Sequence, residues 1–190
     1  NIKNIIISLI YMLIPTMLVM LQPDLSTGII LTMIWFGMIL VSGLSKKHMA
    51  VFFITGFVLA VLGWNFFLHD YQKNRVLNFI NPGNDIRGSG WNAYQSIVAV
   101  GSGGIFGKGV GYGTQSRLGF LPEHETDFIF ASFLEEWGMF GGILVFILFL
   151  IIIFNLSQKS LKANSNFEAL FMIGVSVWLI VQTSMNIGMN

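Results

Sequence analysis

The sequence of 190 residues contains no cysteine and few charged residues. Without cysteine there is no disulfide framework and no thiol redox chemistry. Charged residues make up 10% of the chain, whereas a soluble domain carries roughly 25%. The formal net charge is +1, and there is no polybasic stretch of the kind that forms a nucleic-acid-binding face. These absences exclude an ordinary water-soluble domain and give no reason to expect a nucleic-acid partner.

The few charges are clustered, and they leave five uncharged runs of 20 to 22 residues each. A helix of roughly 20 apolar residues crosses the hydrocarbon core of a bilayer, which is about 30 Å thick. A soluble core that buried five such helices would need a much longer chain than this one. The sequence therefore predicts an all-α fold, a polytopic transmembrane helical bundle with five spans, at residues 4–22, 26–44, 49–68, 127–154 and 167–189.

A sixth uncharged run, residues 88–107, has the length of a span but not its composition. It holds six glycines and a polar stretch at residues 91–96, which are more typical of a loop than of a lipid-facing helix. We therefore expect one long loop at residues 69–126 that folds back onto the bundle, with a short helix near residues 93–100.

The distribution of lysine predicts the orientation of this loop. Short loops with excess lysine and arginine stay in the cytoplasm. The lysines near the other helix ends all fall on one side of the predicted bundle: Lys3, Lys46, Lys47, Lys159 and Lys162. The same rule places the loop 69–126 on the extracytoplasmic side.

The long loop is rich in glycine around Lys108. The pair Gly107-Lys108 invites comparison with a nucleotide phosphate-binding loop, but that motif needs glycine where Ser102 stands and Ser or Thr where Gly109 stands. The comparison therefore fails. Two interpretations stay open: the glycines allow positive φ and close packing, or they let the backbone approach a phosphate-bearing ligand. In both cases Lys108 is expected to be a lone cation on a tight turn.

Acidic residues and a histidine precede the fourth predicted span: Glu123, His124, Glu125 and Asp127. Thr126 suits an N-cap, which would place Asp127 in the first helical turn. The alternatives are a well-capped helix start and a catalytic acid at the boundary between water and hydrocarbon. Arg117 and Lys108 lie in the same loop, so cationic groups and an acid can converge on one anionic ligand.

The other acids have structural interpretations. Glu135 and Glu136 lie further into the fourth span, where charge is costly and usually paired or functional, and we expect structural pairing. Asp24 is expected to start the second helix. No second cluster of clear ligands accompanies the acids, so no metal site is predicted, although a divalent cation, Mg²⁺ or Mn²⁺, that bridges Asp127 to a diphosphate stays open.

Several short motifs occur together along the chain. They are Gln22-Pro23-Asp24, Gln95-Ser96, Gly101-Ser102-Gly103-Gly104, Gly107-Lys108-Gly109, Gly113-Thr114-Gln115-Ser116, Phe120-Leu121-Pro122-Glu123, Thr126-Asp127-Phe128-Ile129-Phe130-Ala131, and Glu135-Glu136 with Gly138. Together they resemble the SEDS family (shape, elongation, division and sporulation), over essentially the whole chain. Gly-Thr-Gln-Ser ahead of Phe-Leu-Pro-Glu resembles the RodA branch of that family more than the FtsW branch.

The resemblance implies a longer membrane protein, of which we expect this chain to be an internal fragment that is inactive alone. It implies a glycosyltransferase of the bacterial plasma membrane, which polymerises lipid II, the undecaprenyl-diphosphate disaccharide, into peptidoglycan strands during cell elongation and shape control. The implied protein partner is a class B penicillin-binding protein that crosslinks the glycan.

The resemblance also implies roles for individual residues. Asp127 matches the acid that is essential in the family, and we expect it to be the catalytic base. The residues expected to contact substrate are Lys108, Arg117, Gln115, Ser116 and Glu123. The sequence departs from the family pattern at Glu125, which separates His124 from the Thr-Asp pair, and at Gly119, where relatives often carry a polar or acidic residue. The departures weaken a role for the histidine and remove one supporting side chain.

Two functions from other classes remain as alternatives to the enzyme. The bundle could move a lipid-linked precursor across the membrane, which would favour polar groups inside the spans, and those are few. Alternatively, the protein could be a non-catalytic scaffold that recruits a cell-wall synthase.

Overall fold

The computed structural model describes residues 2–22, 24–43, 46–68, 73, 77, 90–121 and 125–189. Most of residues 69–89 lie outside this set. Among the residues singled out above, Glu123 and His124 also lie outside the described residues.

The described residues form helices joined by turns. The helices are α1 (Ile2–Met20), α2 (Leu25–Val41), α3 (Lys46–Leu62), α4 (Trp91–Gly103), α5 (Thr114–Arg117), α6 (Ile129–Leu161) and α7 (Asn166–Met189), and α3 continues as a π-helical stretch, Gly63–Phe67. The described part of the chain contains no strand. The predicted all-α fold class is therefore confirmed, and α4 lies where a short helix was expected.

Each of the five predicted spans coincides with a helix. Four apolar stretches are long enough to cross a membrane: Lys3–Met20, Met49–Phe66, Ile129–Leu161 and Asn166–Gly188. The apolar stretch of α2, Ser26–Val41, is shorter. At most 11% of the residues in any of the four are buried within this chain, so their apolar side chains are left for lipid or for other membrane helices to cover. The helices are those of a polytopic membrane protein.

The chain divides into two compact units, of which the first comprises residues Asn1–Thr55 and Leu150–Thr183. Within it, Trp35 of α2 donates a 3.2 Å hydrogen bond through Nε1 to Ser8 Oγ of α1. A Cβ on Gly37 would lie 2.5 Å from a methyl group of Val177, so α2 and α7 are in close contact there. Asp24 caps α2, because its carboxylate accepts from Thr27 N at 3.1 Å and from Thr27 Oγ1 at 2.6 Å. The predicted structural role of Asp24 is confirmed.

The second unit comprises residues Gly56–Phe149 and Ser184–Asn190. Its buried apolar cluster consists of Ala99, Leu121, Phe128 and Ala131. The buried side of α4 also carries Gly103, where a Cβ would run into the carbonyl oxygen of Leu134. Because of this close backbone approach, α4 lies directly against the first half of α6, and the loop that follows α4 is brought beside that helix.

Candidate functional site

Helix α6 is interrupted at Gly138, whose backbone angles are φ 68° and ψ −173°. A positive φ favours glycine, and a Cβ at this position would run into the backbone of Gly107 and Ile105. The prediction of one unbroken span at residues 127–154 is wrong on this point. A single glycine in an apolar run does not predict a break in a helix, since glycine is common in transmembrane helices.

The break leaves backbone N–H and C=O groups of α6 without partners in the helix. The segment 104–113, which we call the glycine loop, forms hydrogen bonds with them. On the first side of the break, the carbonyl oxygens of Glu135 and Glu136 each accept a 3.0 Å hydrogen bond, from the N–H of Lys108 and Gly109 respectively. A Cβ on Gly107, at φ 78°, would run into the carbonyl of Glu136. The interpretation of the glycines as sites of positive φ and close packing is confirmed here.

The second side of the break is bonded in the same way. The N–H groups of Met139 and Phe140 donate to the carbonyl oxygens of Gly104 and Ile105, at 3.0 Å and 3.1 Å. Non-helical backbone at membrane depth is tolerated only where its polar groups find protein partners. The glycine loop supplies those partners, so the loop and the broken helix form one hydrogen-bonded structure.

The side chain of Glu135 points from α6 into this structure and is fully buried. Its Oε1 lies 2.9 Å from Lys108 Nζ, and it accepts hydrogen bonds from Gln115 N at 2.9 Å and from Thr114 Oγ1 at 3.1 Å. Lys108 Nζ also donates to Thr114 Oγ1 at 2.7 Å. The lysine expected to be a lone cation is thus an ion-pair partner, and that expectation was wrong.

The second carboxylate oxygen of Glu135 is held by the start of α5. Oε2 accepts from Ser116 N at 3.2 Å and from Ser116 Oγ at 3.1 Å. The first N–H groups of a helix have no partner within the helix, and Glu135 accepts two of them. Ser102 Oγ lies 3.4 Å from Oε1, but it donates at 2.8 Å to the carbonyl of Ala99, so its single proton is already committed.

This set of contacts makes Glu135 a structural hub. A buried charge is tolerated when it is paired and hydrogen-bonded, and five donor groups on four residues meet that condition here. Gly113 permits the approach, because a Cβ there would lie 2.8 Å from Glu135 Oε2. Glu136 holds the same loop from outside, since its Oε1 accepts from Gly111 N at 3.0 Å. The expected structural pairing of Glu135 is confirmed.

Asp127 has a different environment. Its side chain is exposed, and it lies in the turn that precedes α6. The backbone N–H of Ser132 bonds to Phe128 O at 3.1 Å, and α6 begins at Ile129. The predicted N-cap at Thr126 was therefore wrong, and Asp127 lies just before the first helical turn.

The exposed acid is anchored by its neighbours. Phe128 is buried in the apolar cluster together with Leu121, and the carbonyl oxygen of Asp127 accepts a 3.4 Å hydrogen bond from Asn186 Nδ2. Among the residues that the structure describes, no donor lies within hydrogen-bond distance of the Asp127 carboxylate. Its position is held by backbone and core contacts, while its carboxylate oxygens are available to a ligand.

The structure brings three of the predicted substrate contacts together, namely Lys108, Gln115 and Ser116, around Glu135. Arg117 is exposed, and its Nη1 lies 3.5 Å from the carbonyl oxygen of Gly111. Gln115 Oε1 is buried and has no hydrogen-bond partner among the described residues. No group of three or more His, Asp or Glu that could hold a metal ion occurs within the described ranges.

Sequence reasoning did not identify Thr114 as a member of this cluster, nor the partner of Glu135. The signal that was present is the Gly-Thr-Gln-Ser motif, whose polar groups here all turn toward one carboxylate. Pairing that motif with Glu135 needs knowledge of a contact between distant parts of the chain, which spacing alone does not provide.

Comparison with known proteins bears on both the helices and the site. The profile of the FtsW, RodA and SpoVE family, described as cell cycle protein, matches residues 1–190. Peptidoglycan glycosyltransferase MrdB of Escherichia coli K12 is 38% identical over 189 residues, which cover 100% of this chain and 51% of that protein. Stage V sporulation protein E of Bacillus subtilis is 35% identical over 175 residues, covering 90% and 46%.

A probable peptidoglycan glycosyltransferase FtsW of Neisseria gonorrhoeae is 34% identical over 191 residues, covering 99% of this chain and 41% of its own. A solved structure described as "Structural coordination of polymerization and crosslinking by a peptidoglycan synthase complex" superimposes with a TM-score of 0.73 and 26% identity, over 96% of this chain and 49% of that one. The chain spans about half the length of the curated relatives it matches.

Proposed function

Because the chain belongs to the FtsW/RodA/SpoVE family of cell cycle proteins, we propose that the whole protein is a peptidoglycan glycosyltransferase that polymerises lipid II during cell elongation. The names of its relatives support the reaction class, since MrdB and FtsW proteins both carry that description. The higher identity to MrdB favours the elongation branch.

The observation that carries the proposal is the contrast between exposed Asp127 and buried Glu135. Asp127 is exposed at the start of an apolar helix long enough to cross a membrane, and its carboxylate has no donor among the described groups. The lipid tail of a lipid-linked sugar lies in the bilayer, so the sugar itself is held at the membrane surface, near the ends of the membrane-spanning helices. An exposed acid at the end of a membrane helix lies at the same depth as such a sugar and can therefore contact it.

In the proposed mechanism Asp127 is the general base. It accepts the proton of the acceptor sugar's 4-hydroxyl as that oxygen attacks the anomeric carbon of the donor. The bond from this carbon to the lipid diphosphate breaks, the diphosphate leaves with the electron pair, and the anomeric configuration inverts. The base must lie within about 3 Å of the hydroxyl oxygen.

The other residues predicted to contact substrate have different environments in the structure. Exposed Arg117 is suited to the departing diphosphate, because guanidinium groups bind phosphate in a bidentate manner. Lys108, Gln115 and Ser116 can contact substrate only while they also hold Glu135, so their role in binding is secondary to their role in the loop. Glu123 is retained as a predicted contact. A divalent cation between Asp127 and the diphosphate is tested by adding a chelator to the assay.

We also propose the setting of the reaction. The protein is a multi-pass protein of the bacterial plasma membrane, and the loop 69–126 faces the extracytoplasmic side, as the distribution of lysine predicts. Its partner is a class B penicillin-binding protein, which is supported by the likeness to a chain of a peptidoglycan synthase complex.

Transport of the lipid-linked precursor is the second candidate, and the break in α6 is the observation that favours it. Discontinuous helices in transporters leave backbone groups free to bind substrate or ions. In this protein the groups at the break are instead bonded to the glycine loop, at 3.0 Å to 3.1 Å. This difference favours the enzyme.

The test uses the full-length protein with its synthase partner in vesicles that contain lipid II. Replacing Asp127→Asn should abolish glycan polymerisation while leaving expression and partner binding intact. The matched control is Glu168→Gln, which also removes one negative charge and keeps an oxygen that can accept the hydrogen bond from Asn164 N. Polymerisation by the Asp127→Asn variant at the control's rate would refute the assignment, and lipid II translocation without polymerisation would favour the transporter.

A further inference from the structure

The segment 104–120 consists of the glycine loop, α5 and the turn that follows, and it directs three polar side chains at Glu135 while its large apolar side chains are exposed. Lys108, Thr114 and Ser116 all point at buried Glu135. The large apolar side chains of the same segment are exposed, and we call them the apolar rim: Ile105, Phe106, Val110, Tyr112, Leu118 and Phe120. Phe106 is 84% exposed and Leu118 65%. Contiguous exposed apolar surface marks a site of contact with protein or membrane.

The charges of this segment fit the same arrangement. Residues 104–121 contain two charged side chains, Lys108 and Arg117. Lys108 is turned inward to Glu135. Arg117 is exposed beside the rim, and a long basic side chain at the edge of an apolar surface commonly extends its charge into the headgroup layer. The exposed side chains of the segment are therefore mainly apolar, with Thr114 and one cation, Arg117, among them.

Several backbone groups of the glycine loop have the protein partners that non-helical backbone needs in a membrane. Its N–H groups at Lys108 and Gly109 bond to carbonyl oxygens of α6, and its carbonyl oxygens at Gly104 and Ile105 accept from α6. Gly111 N bonds to the side chain of Glu136. Irregular backbone without such partners is excluded from lipid by the cost of unsatisfied polar groups.

The apolar rim lies next to exposed apolar residues of a helix long enough to cross a membrane. Met139 and Phe140 are exposed on α6, within a stretch long enough to cross a membrane. The backbone of Phe140 bonds to Ile105, the first residue of the rim, at 3.1 Å. The exposed apolar side chains of α6 are therefore joined to those of the glycine loop by a direct backbone contact.

We propose that the apolar rim lies in the interfacial layer of the bilayer, where headgroups meet acyl chains, and that lipid is the partner it contacts. Aromatic residues such as those at positions 106, 112 and 120 are the residues that membrane interfaces favour. Part of the loop predicted to lie outside the membrane is thus a membrane-contacting element. The proposal is independent of glycosyl transfer and stands whichever reaction the protein catalyses.

The experiment measures the depth of single side chains in the full-length protein, made cysteine-free and reconstituted in vesicles of phosphatidylethanolamine and phosphatidylglycerol. Phe106→Cys and Leu118→Cys are labelled with a nitroxide, and collisions with oxygen and with a water-soluble nickel chelate are compared. The control for lipid is Leu148→Cys, on an exposed position of α6, and the control for water is Asn164→Cys, in the exposed turn before α7. Because all four side chains are at least half exposed or lie in a turn, the substitutions remove little buried contact, and circular dichroism checks the fold.

We expect the ratio of oxygen to nickel collisions at positions 106 and 118 to be several-fold higher than at position 164 and below that at position 148. A ratio equal to that at position 164 would place the rim in water and overturn the proposal. Low collision rates with both reagents at both positions would show that protein covers the rim, either another segment of the full chain or the synthase partner, and would overturn it as well.

Discussion

Glu135 and Asp127 are two acids near the same end of one helix, and they have opposite environments. Glu135 is fully buried and accepts hydrogen bonds from Lys108, Thr114, Gln115 and Ser116. Asp127 is exposed, and its carboxylate has no donor among the described residues. Glu135 thus links α6 to the glycine loop and α5, whereas the Asp127 side chain is exposed, although both residues belong to motifs that carry the same family resemblance.

The largest expected effect is on activity and concerns the exposed acid. General-base help is worth about 10² to 10⁴ in rate, so Asp127→Asn should lower glycan polymerisation by that factor, without changing the free energy of unfolding. The rate is measured with lipid II in vesicles, and unfolding by titration with dodecyl sulfate in micelles. A variant that lost stability and activity together would remove the contrast between the two acids.

The next effect is on stability and concerns the buried acid. Glu135→Ala leaves the ammonium of Lys108 and the N–H groups of α5 without their acceptor. Breaking a buried ion pair costs about 3 to 5 kcal/mol, and we expect a loss of that order in the free energy of unfolding.

The matched control for this change is Glu136→Ala, on the same helix, which removes one hydrogen bond from Gly111. We expect a smaller loss there, within the range of about 1.5 to 3 kcal/mol for a bond to a charged group. Equal losses in the two variants would contradict the role of Glu135 as the hub.

A third prediction tests whether the break in α6 is required. Gly138→Ala puts a Cβ at φ 68° against the backbone of the glycine loop. Backbone angles of this kind, a positive φ with ψ near 180°, are populated almost only by glycine and cost another residue about 1 to 3 kcal/mol, and the backbone contacts add to this. We expect a loss of at least that size in the free energy of unfolding.

Gly101→Ala is the control for this substitution, because Gly101 is helical and has open space around a Cβ. It should leave stability unchanged or raise it by about 0.4 to 1 kcal/mol. A Gly138→Ala variant as stable as the control would show that α6 can continue through this point without the glycine loop.

The smallest expected effect is on stability and concerns Asp24, an acid that shares features with Asp127 and with Glu135. Asp24 is exposed like Asp127, yet it accepts two hydrogen bonds from Thr27, as an N-cap. Asp24→Ala should cost about 0.5 to 2 kcal/mol, whereas Asp24→Asn should cost little, since asparagine caps helices equally well. A loss in the Asp24→Asn variant as large as in Asp24→Ala would mean that charge, and not the cap, sets the role of this acid.

Much of the fold could be predicted because it depends on local properties of the chain. The uncharged runs predicted the long helices, since the length of an apolar run and the thickness of a bilayer are enough to define a span. Asp24 could be assigned as a cap because capping involves residues only three positions apart. The motifs around Asp127 and the Gly-Thr-Gln-Ser segment likewise carried the family resemblance without any knowledge of contacts.

The start of α6 could be predicted only to within a few residues. Thr126 is a good N-cap by residue type, yet the helix begins at Ile129. Burial of Phe128 in the cluster with Leu121 and Ala131 competes with capping at Thr126. The same cluster includes Ala99 of α4, so a contact with a segment distant along the chain accompanies a helix start that differs from the local preference.

The sequence by itself determined that this chain is a set of membrane helices with an acid-bearing segment of a recognisable family, because apolar length and motif order are properties of the chain alone. Only the tertiary structure decided that Glu135 is the partner of Lys108, that α6 breaks at Gly138, and that the glycine loop turns its apolar side chains outward. These features arise from contacts between segments distant along the chain. A buried charge and a broken helix are stable only when the groups that satisfy them are brought into place.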